Sequence, residues 1–393
     1  MIVSSKMRAF NEKSSWIRRM FEEGARMKAE FGADQVFDFS LGNPDVPAPP
    51  EFDAALREAA AETGPGVHGY MPNGGYPWVR EALAEQVSAE QGVAVSAAEV
   101  LMTCGAAGAL NVVMKALLDP GDEVIVMAPF FVEYHFYVDN HGGVARVVNC
   151  DDKFQPDLEA LRAAINERTR ALIINSPNNP SGQVYDQATL DALGAVLDEE
   201  GRRHGNTIVL IMDEPYRSIL FDGHQAASTL RASRNAIVLS SWSKELSLAG
   251  ERIGYLAVNP EIDERGALLE ALTLANRILG FVNAPALMQR VVARLPNVTV
   301  DSGIYARRRE LFRAILDRAG FDYHLPGGAF YFFPKTPIED DVAFCRLLQE
   351  QRILAVPGRG FGTPGHIRLA FSVPDDVIER SEEGFQAAMQ NCH

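Results

Sequence analysis

Cysteine is scarce in this chain, and so are long apolar stretches and surplus positive charge. The four cysteines, Cys104, Cys150, Cys345 and Cys392, stand far apart, without the paired spacing of a disulfide framework or a zinc site. Their pattern points to a reducing compartment. No apolar run is long enough to cross a bilayer, and residues Met1 to Arg8 lack the apolar centre and cleavage site of a secretory leader. These absences predict a soluble, cytoplasmic protein. Acidic residues outnumber basic ones by 52 to 37, a formal net charge of −15. Such a balance disfavours nucleic acid and anionic membranes as partners and leaves open a local basic pocket for a small anion. There is no low-complexity tract, no internal repeat and no Gly-x-Gly-x-x-Gly dinucleotide fingerprint.

What is present is ample material for a core. With 393 residues, 47% of them hydrophobic, the chain can bury one large domain and a smaller one. Short apolar runs alternate with helical patterns, which predicts an α/β domain around a mainly parallel sheet. The expected strands are 100–103, 124–127, 171–174, 208–212, 237–239 and 255–258. Five of these six are followed at once by polar, Gly or Pro residues of chemical interest. In open parallel sheets ligands bind at the carboxyl ends of the strands, so the repetition predicts one site along one sheet edge.

Upstream, Ile17, Met20, Phe21, Gly24, Ala25, Lys28 and Phe31 trace one helical face opposite Arg18, Arg19, Glu22 and Glu23, an amphipathic arm that packs on the body or on a second subunit. The Pro-rich segment 43–50 reads as an ordered loop outside any helix. Beyond Pro285, a helical pattern over 307–316 and strand-like runs at 328–333 and 367–371 predict a smaller α+β domain. The expected division is an arm at 1–41 belonging to the small domain, a large domain at 42–285 and a small domain at 286–393.

The chemistry concentrates first at Lys244. It follows the apolar run 236–239, with Ser241, Ser243 and Arg252 close by. Hydroxyls and a guanidinium are phosphate ligands by type. Cationic neighbours and desolvation push a lysine below its ordinary value of about 10.4, towards the neutral amine that attacks a carbonyl. A lone loop lysine is usually a solvated one, but this grouping reads as an aldehyde-capturing amine beside a phosphate pocket. Gly105, Ala106 and Ala107 open a helical run, where small residues serve either a phosphate at the helix start or close packing on the sheet. Phe131 reads as a core aromatic or as a ring-stacking one. The turn-rich loop 175–182 places Asn179 at a strand end. Asp213 and Tyr216 close the strand at 208–212, and a carboxylate buried there needs a partner.

Taken in order along the chain, the Lys244 motif, the loop Asn175-Ser176-Pro177-Asn178-Asn179-Pro180-Ser181-Gly182 and the Asp213-x-x-Tyr216 pair resemble the class I and II aminotransferases, fold type I enzymes that use pyridoxal 5′-phosphate. The resemblance runs from Gly42 to Arg368. It implies that Lys244 forms the Schiff base with the cofactor and later moves the substrate proton. It further implies that Gly105, Ala106, Ala107, Ser241, Ser243 and Arg252 hold the phosphate, that Phe131 stacks on the ring and that Asp213 meets the ring nitrogen. Asn179 and Tyr216 would meet the ring hydroxyl oxygen. Arg368 and Asn179 would bind the substrate carboxylate, with the Gly42 loop near the substrate. Tyr70 would reach the cofactor phosphate of a neighbouring subunit, which predicts a homodimer. No metal is expected.

Three positions depart from the family pattern. Ser176 stands where proline is usual, Phe131 where many relatives carry tryptophan or tyrosine, and Ala107 where some aspartate-specific relatives carry lysine. The implied reaction is ping-pong transfer of an amino group between an L-amino acid and a 2-oxo acid, with aspartate or glutamate as one donor and Arg277 as a candidate for a second carboxylate. Phe10, Trp16, Phe31 and Phe330 would instead favour an apolar side chain. The same scaffold also serves carbon–sulfur β-lyases and, more remotely, noncatalytic cofactor-binding regulators.

Overall fold

The computed structural model describes residues 2–12 and 16–392, with side chains described outside 12–19 and 21. The expectations placed on the side chains of Trp16, Ile17, Arg18, Arg19 and Phe21 lie outside the described residues. Twelve strands are described: β1 (Phe37–Asp38), β2 (Val100–Thr103), β3 (Glu123–Ala128), β4 (Val144–Asn149), β5 (Thr169–Asn175), β6 (Val209–Asp213), β7 (Ala236–Ser241), β8 (Gly254–Val258), β9 (Tyr331–Phe332), β10 (Ile353–Leu354), β11 (Val356–Pro357) and β12 (Ile367–Ala370).

Seven of them form one sheet in the order β2-β8-β7-β6-β5-β3-β4. Only β8 runs against its neighbours β2 and β7, so the sheet is mainly parallel, as expected. Alternate residues of the central strands feed opposite cores. Ile125, Leu172, Leu210 and Val238 pack on one face and Val124, Ile173, Ile211 and Leu239 on the other. That two-sided burial explains why these strands read as continuous apolar runs.

The edge strand β4 escaped the sequence reading for the complementary reason. Val144 and Val147 are exposed, and Arg146 and Asn149 interrupt any apolar run. Two further expectations need correction. Pro50 is helical, because it opens helix Pro50–Ala61 at a first-turn position where its missing N–H costs nothing. Of the strand-like run 328–333 only Tyr331–Phe332 is extended in the sheet; Ala329 sits at φ 57°, a left-handed conformation that ends any extended run there.

A second, aromatic-rich core lies around the three-stranded sheet β11-β12-β9 and the helices Ser302–Ala319, Asp341–Glu350 and Glu382–Gln390. The chain start joins it through the parallel pair β1-β10. Met288, Val291, Val292 and Leu295 still belong to the core beneath the large sheet, whereas Val300 belongs to the second core. The apolar side chains of 288–295 therefore pack beneath the large sheet. Among the described residues no helix is long and apolar enough to cross a membrane, and no cluster of three or more His, Cys, Asp or Glu could hold a metal.

Candidate active site

The parallel registers place Asn175 beside Asp213, and Asp213 beside Leu239, in one row at the carboxyl ends of β5, β6 and β7. A cavity of about 290 Å³ opens above that row. Of the cofactor- and substrate-binding residues that the family resemblance implies, it gathers all except Gly105 and Tyr70.

One end of the cavity is built for an anion. Ala106 and Ala107 present the first turn of helix Gly105–Leu117, facing Ser241, Ser243 and Arg252. The unpaired N–H groups of a helix start favour negative charge. Arg252 adopts a left-handed conformation, φ 53°, at the end of a short helical turn, and donates to the Ala249 carbonyl at 2.9 Å. Gly105 lies just outside the lining. Its φ is +72°, and a Cβ there would stand 2.8 Å from the Arg252 guanidinium, so glycine lets the arginine close over the turn.

Asp213 ends β6, almost fully buried. Its Oδ2 accepts from the Tyr134 hydroxyl at 2.7 Å, while Oδ1 has no hydrogen-bond partner among the described residues. Burial raises its pKa to about 7, against the lowering effect of the Tyr134 bond. Its backbone carbonyl accepts from Asn175 Nδ2 at 2.7 Å. Phe131 lines the wall nearby and meets Tyr134 edge-on at 5.6 Å.

Lys244 Nζ donates to the Gly42 carbonyl at 2.6 Å and lies 5.6 Å from the Phe330 ring centre. Burial first, then the charges of Arg368 and Arg252, lower its pKa to about 8. The close approach of the Gly42 loop depends on glycine, since a Cβ would stand 2.0 Å from the Tyr331 hydroxyl. That hydroxyl pairs with the Tyr216 hydroxyl at 2.7 Å. Burial holds both phenols above their ordinary range, so both stay protonated.

Arg368 projects from β12 into the opposite wall, 2% exposed. Its guanidinium lies 4.9 Å from the ring centres of both Tyr331 and Phe361. It donates to Asn179 Oδ1 at 3.0 Å and to the Ser40 carbonyl at 2.6 Å, and its Nε has no partner among the described residues. No carboxylate of the described residues forms an ion pair with Arg368, Arg252 or Lys244. A buried guanidinium held only by neutral acceptors is costly, and an incoming carboxylate relieves that cost.

Tyr134, Tyr137, Tyr331, Asn175 and Ser40 were missed by the sequence reading. Asn175 ends β5 as Asp213 ends β6, so the same strand-end argument would have found it. The tyrosines sit within helical or aromatic runs that carry no such signal. Phe10 and Phe31 do not line the cavity: Phe10 packs edge-on against Phe136 at 5.0 Å, and the Phe31 ring lies 5.2 Å from Arg352. Phe330 is buried in the second core, outside the lining. Arg277 is exposed in a separate surface groove, and Tyr70 is 92% exposed.

The aminotransferase class I and II family matches residues 34–383 of this chain. The chain belongs to that family. Among curated relatives of this aminotransferase, an aspartate/prephenate aminotransferase of Thermus thermophilus is 34% identical over 360 residues, 90% of this chain and 91% of its own. An aspartate aminotransferase of Geobacillus stearothermophilus is 30% identical, covering 94% of each chain. Among solved structures, an aminotransferase from Eubacterium rectale superposes with a TM-score of 0.96 at 37% identity, over 100% of this chain and 99% of the other. Aspartate aminotransferase from Thermus thermophilus with maleate gives 0.87 at 29% identity, over 99% and 100%.

The fold is therefore fold type I, and the cofactor is pyridoxal 5′-phosphate. The residues present fit that group. An anion end, an unpartnered buried carboxylate oxygen and an amine with a lowered pKa answer its phosphate, its ring nitrogen and its aldehyde. The aminotransferase acts on amino acid and keto acid substrates.

Proposed function

We propose that this aminotransferase carries out ping-pong transfer of the amino group of aspartate or glutamate to a 2-oxo acid. The observation that carries this reading is the convergence, in one cavity, of three cations without carboxylate partners and one buried carboxylate oxygen without a donor. Each is half of an interaction that the cofactor and substrate complete. The names of the relatives support a dicarboxylic donor.

In this reading Arg252, Ser241, Ser243 and the helix start at Gly105–Ala107 bind the cofactor phosphate. Asp213 Oδ1 meets the ring nitrogen, Phe131 stacks on the ring, and Tyr216 and Asn179 meet the ring hydroxyl oxygen. Bound there, pyridoxal 5′-phosphate supplies an aldehyde that exchanges with the substrate amine and a ring that draws electrons from the Cα–H bond. Arg368 grips the substrate α-carboxylate through its free Nε edge, keeping its bonds to Asn179 and Ser40 as an anchor. Lys244 Nζ takes the proton from the substrate Cα, a role its lowered pKa suits near neutrality. The carbonyl of Gly42 orients that amine beforehand.

The reading includes a homodimer. Tyr70, Leu274 and Ile278 are exposed, and a second copy covering them would bring Tyr70 to its site. Among the described residues the cavity lining offers no cation beyond the three named, so in this reading a second substrate carboxylate would be met by Arg277 across that interface. We also place the domain division as large domain, small domain and a chain start shared with the latter. The four free thiols support a cytoplasmic location.

The test is an absorbance spectrum of the loaded protein after adding single amino acids without an acceptor. Aspartate or glutamate should discharge the visible band stoichiometrically, leaving the amine form and one equivalent of 2-oxo acid. Release of ammonia and pyruvate from cystathionine with the band unchanged would overturn the reading in favour of β-elimination.

A further inference from the structure

We propose that Tyr134 is a positioning residue for the cofactor ring, whose hydroxyl holds the Asp213 carboxylate as an anion with one oxygen left unpaired. This rests on the reading that Asp213 meets the ring nitrogen.

The two residues lie 79 positions apart, joined by a 2.7 Å hydrogen bond. Tyr134 opens the helix Tyr134–Asp139 and is 1% exposed. Its ring belongs to the core on one face of the sheet, where phenylalanine would pack as well. The hydroxyl is therefore not required by packing. It bonds Asp213 Oδ2 and leaves Oδ1, on a residue that lines the cavity, buried without a partner among the described residues, so a single bond fixes which oxygen is spent.

Without that donor, burial favours the neutral acid, which cannot stabilise a protonated ring nitrogen. A hydrogen bond donated to the charged form favours that form. Tyr134 itself does not compete for the proton, since burial and the Asp213 charge hold its pKa well above the ordinary phenol range. The other groups around the carboxylate do not supply the same bond. Tyr216 is paired with Tyr331, Glu214 is a neighbouring acid, Tyr137 lines the cavity wall, and Lys244 and Arg252 lie in the same cavity without an ion pair to Asp213.

The helix is clamped from its outer side as well. Phe136 meets Phe10 edge-on, and Asp139 pairs with Lys6 at 2.6 Å. The amino-terminal helix Ser5–Glu12 thus braces the element that aims Tyr134.

The test is Tyr134→Phe, which removes one oxygen and keeps the ring. In the cofactor-free protein, the carboxyl stretching band assigned to Asp213 by difference against Asp213→Asn is titrated by infrared spectroscopy. The midpoint should rise by about one pH unit, a tenfold change in acidity. The dissociation constant of pyridoxal 5′-phosphate should weaken about fivefold at pH 7, where the ionised fraction falls from about a half to about a tenth, with the deficit shrinking as pH rises past the new midpoint. An unchanged midpoint would overturn the proposal, as would a loss of affinity equal at every pH, which marks packing alone. If Asp213→Asn binds the cofactor as tightly as the parent, the reading of Asp213 as ring partner fails and the positioning role falls with it. The infrared midpoint is measured without cofactor and so separates that failure from a failure of the hydrogen bond.

Discussion

Asp213 and Glu214 are neighbours in sequence, both deeply buried at the end of β6, and burial raises both to about 7. Their surroundings differ. Glu214 accepts from Gln91 Nε2 at 3.0 Å with one oxygen and from Arg217 at 2.9 Å with the other. Asp213 lines the cavity and accepts from Tyr134 with one oxygen, while the second has no partner among the described residues. The strand alternation turns Asp213 to the cavity and Glu214 to the packed side. Burial and a raised pKa are thus shared by a structural acid and a site acid, and the unfilled hydrogen bond tells them apart.

The sharpest way to break that comparison is to remove what the site acid serves. Lys244→Ala should lower kcat by at least about 10³-fold, the scale of losing a positioned proton-transfer group that also bonds the cofactor. Single-turnover absorbance with the preferred donor checks it, and full activity would sink the mechanism. Next, Asp213→Ala should lower kcat/KM by about 10²–10³-fold, while Glu214→Gln should keep kcat within about threefold. The Glu214 variant should instead lose about 1–3 kcal/mol of stability in urea unfolding, because it disturbs a satisfied buried pair. Equal kinetic losses in the two variants would erase the distinction.

Arg368→Lys should raise KM by about ten- to a hundredfold with a smaller change in kcat, since an ammonium cannot offer the planar fork. Initial rates over donor concentration decide this.

The smallest effect concerns pH and the cofactor-free protein. Unfolded carboxylates titrate near about 4, whereas folded Asp213 and Glu214 titrate at about 7 and Glu245 at about 8. Between those values the folded state holds more protons, so this contribution to stability is full below about pH 4 and is lost as pH rises through the folded values. Asp213→Asn should flatten the decline partly, and cofactor binding should remove the same share while leaving that of Glu214. Urea midpoints measured across pH 5 to 8 check both arms.

Much of the large sheet was legible because its central strands are buried on both faces and read as unbroken apolar runs. β4 was not, since an edge strand with exposed valines carries no such run. Lys244, Asp213 and Asn179 were legible because each follows a recognisable strand, and Arg252 because it trails Lys244, in an order that matched a family. Tyr134 and Tyr331 were not, because an aromatic in an apolar run has the same local pattern whether its hydroxyl is idle or bonded across the fold. Whether Phe10 and Phe31 line the pocket was not legible for the same reason: composition does not say which core receives a ring.

The sequence by itself determined which reactive groups exist and that they sit at strand ends, because local hydrophobic period and turn chemistry set the elements. Only the tertiary structure decided how those groups are paired. The bonds from Tyr134 to Asp213, between Tyr216 and Tyr331, and from Arg368 to Asn179 join residues 79, 115 and 189 positions apart. No local pattern encodes such distances; they follow from sheet order and from the packing of the small domain over the sheet edge. That packing leaves Arg368 without an anion and Asp213 with one bare oxygen, and these two unfilled valences define the site.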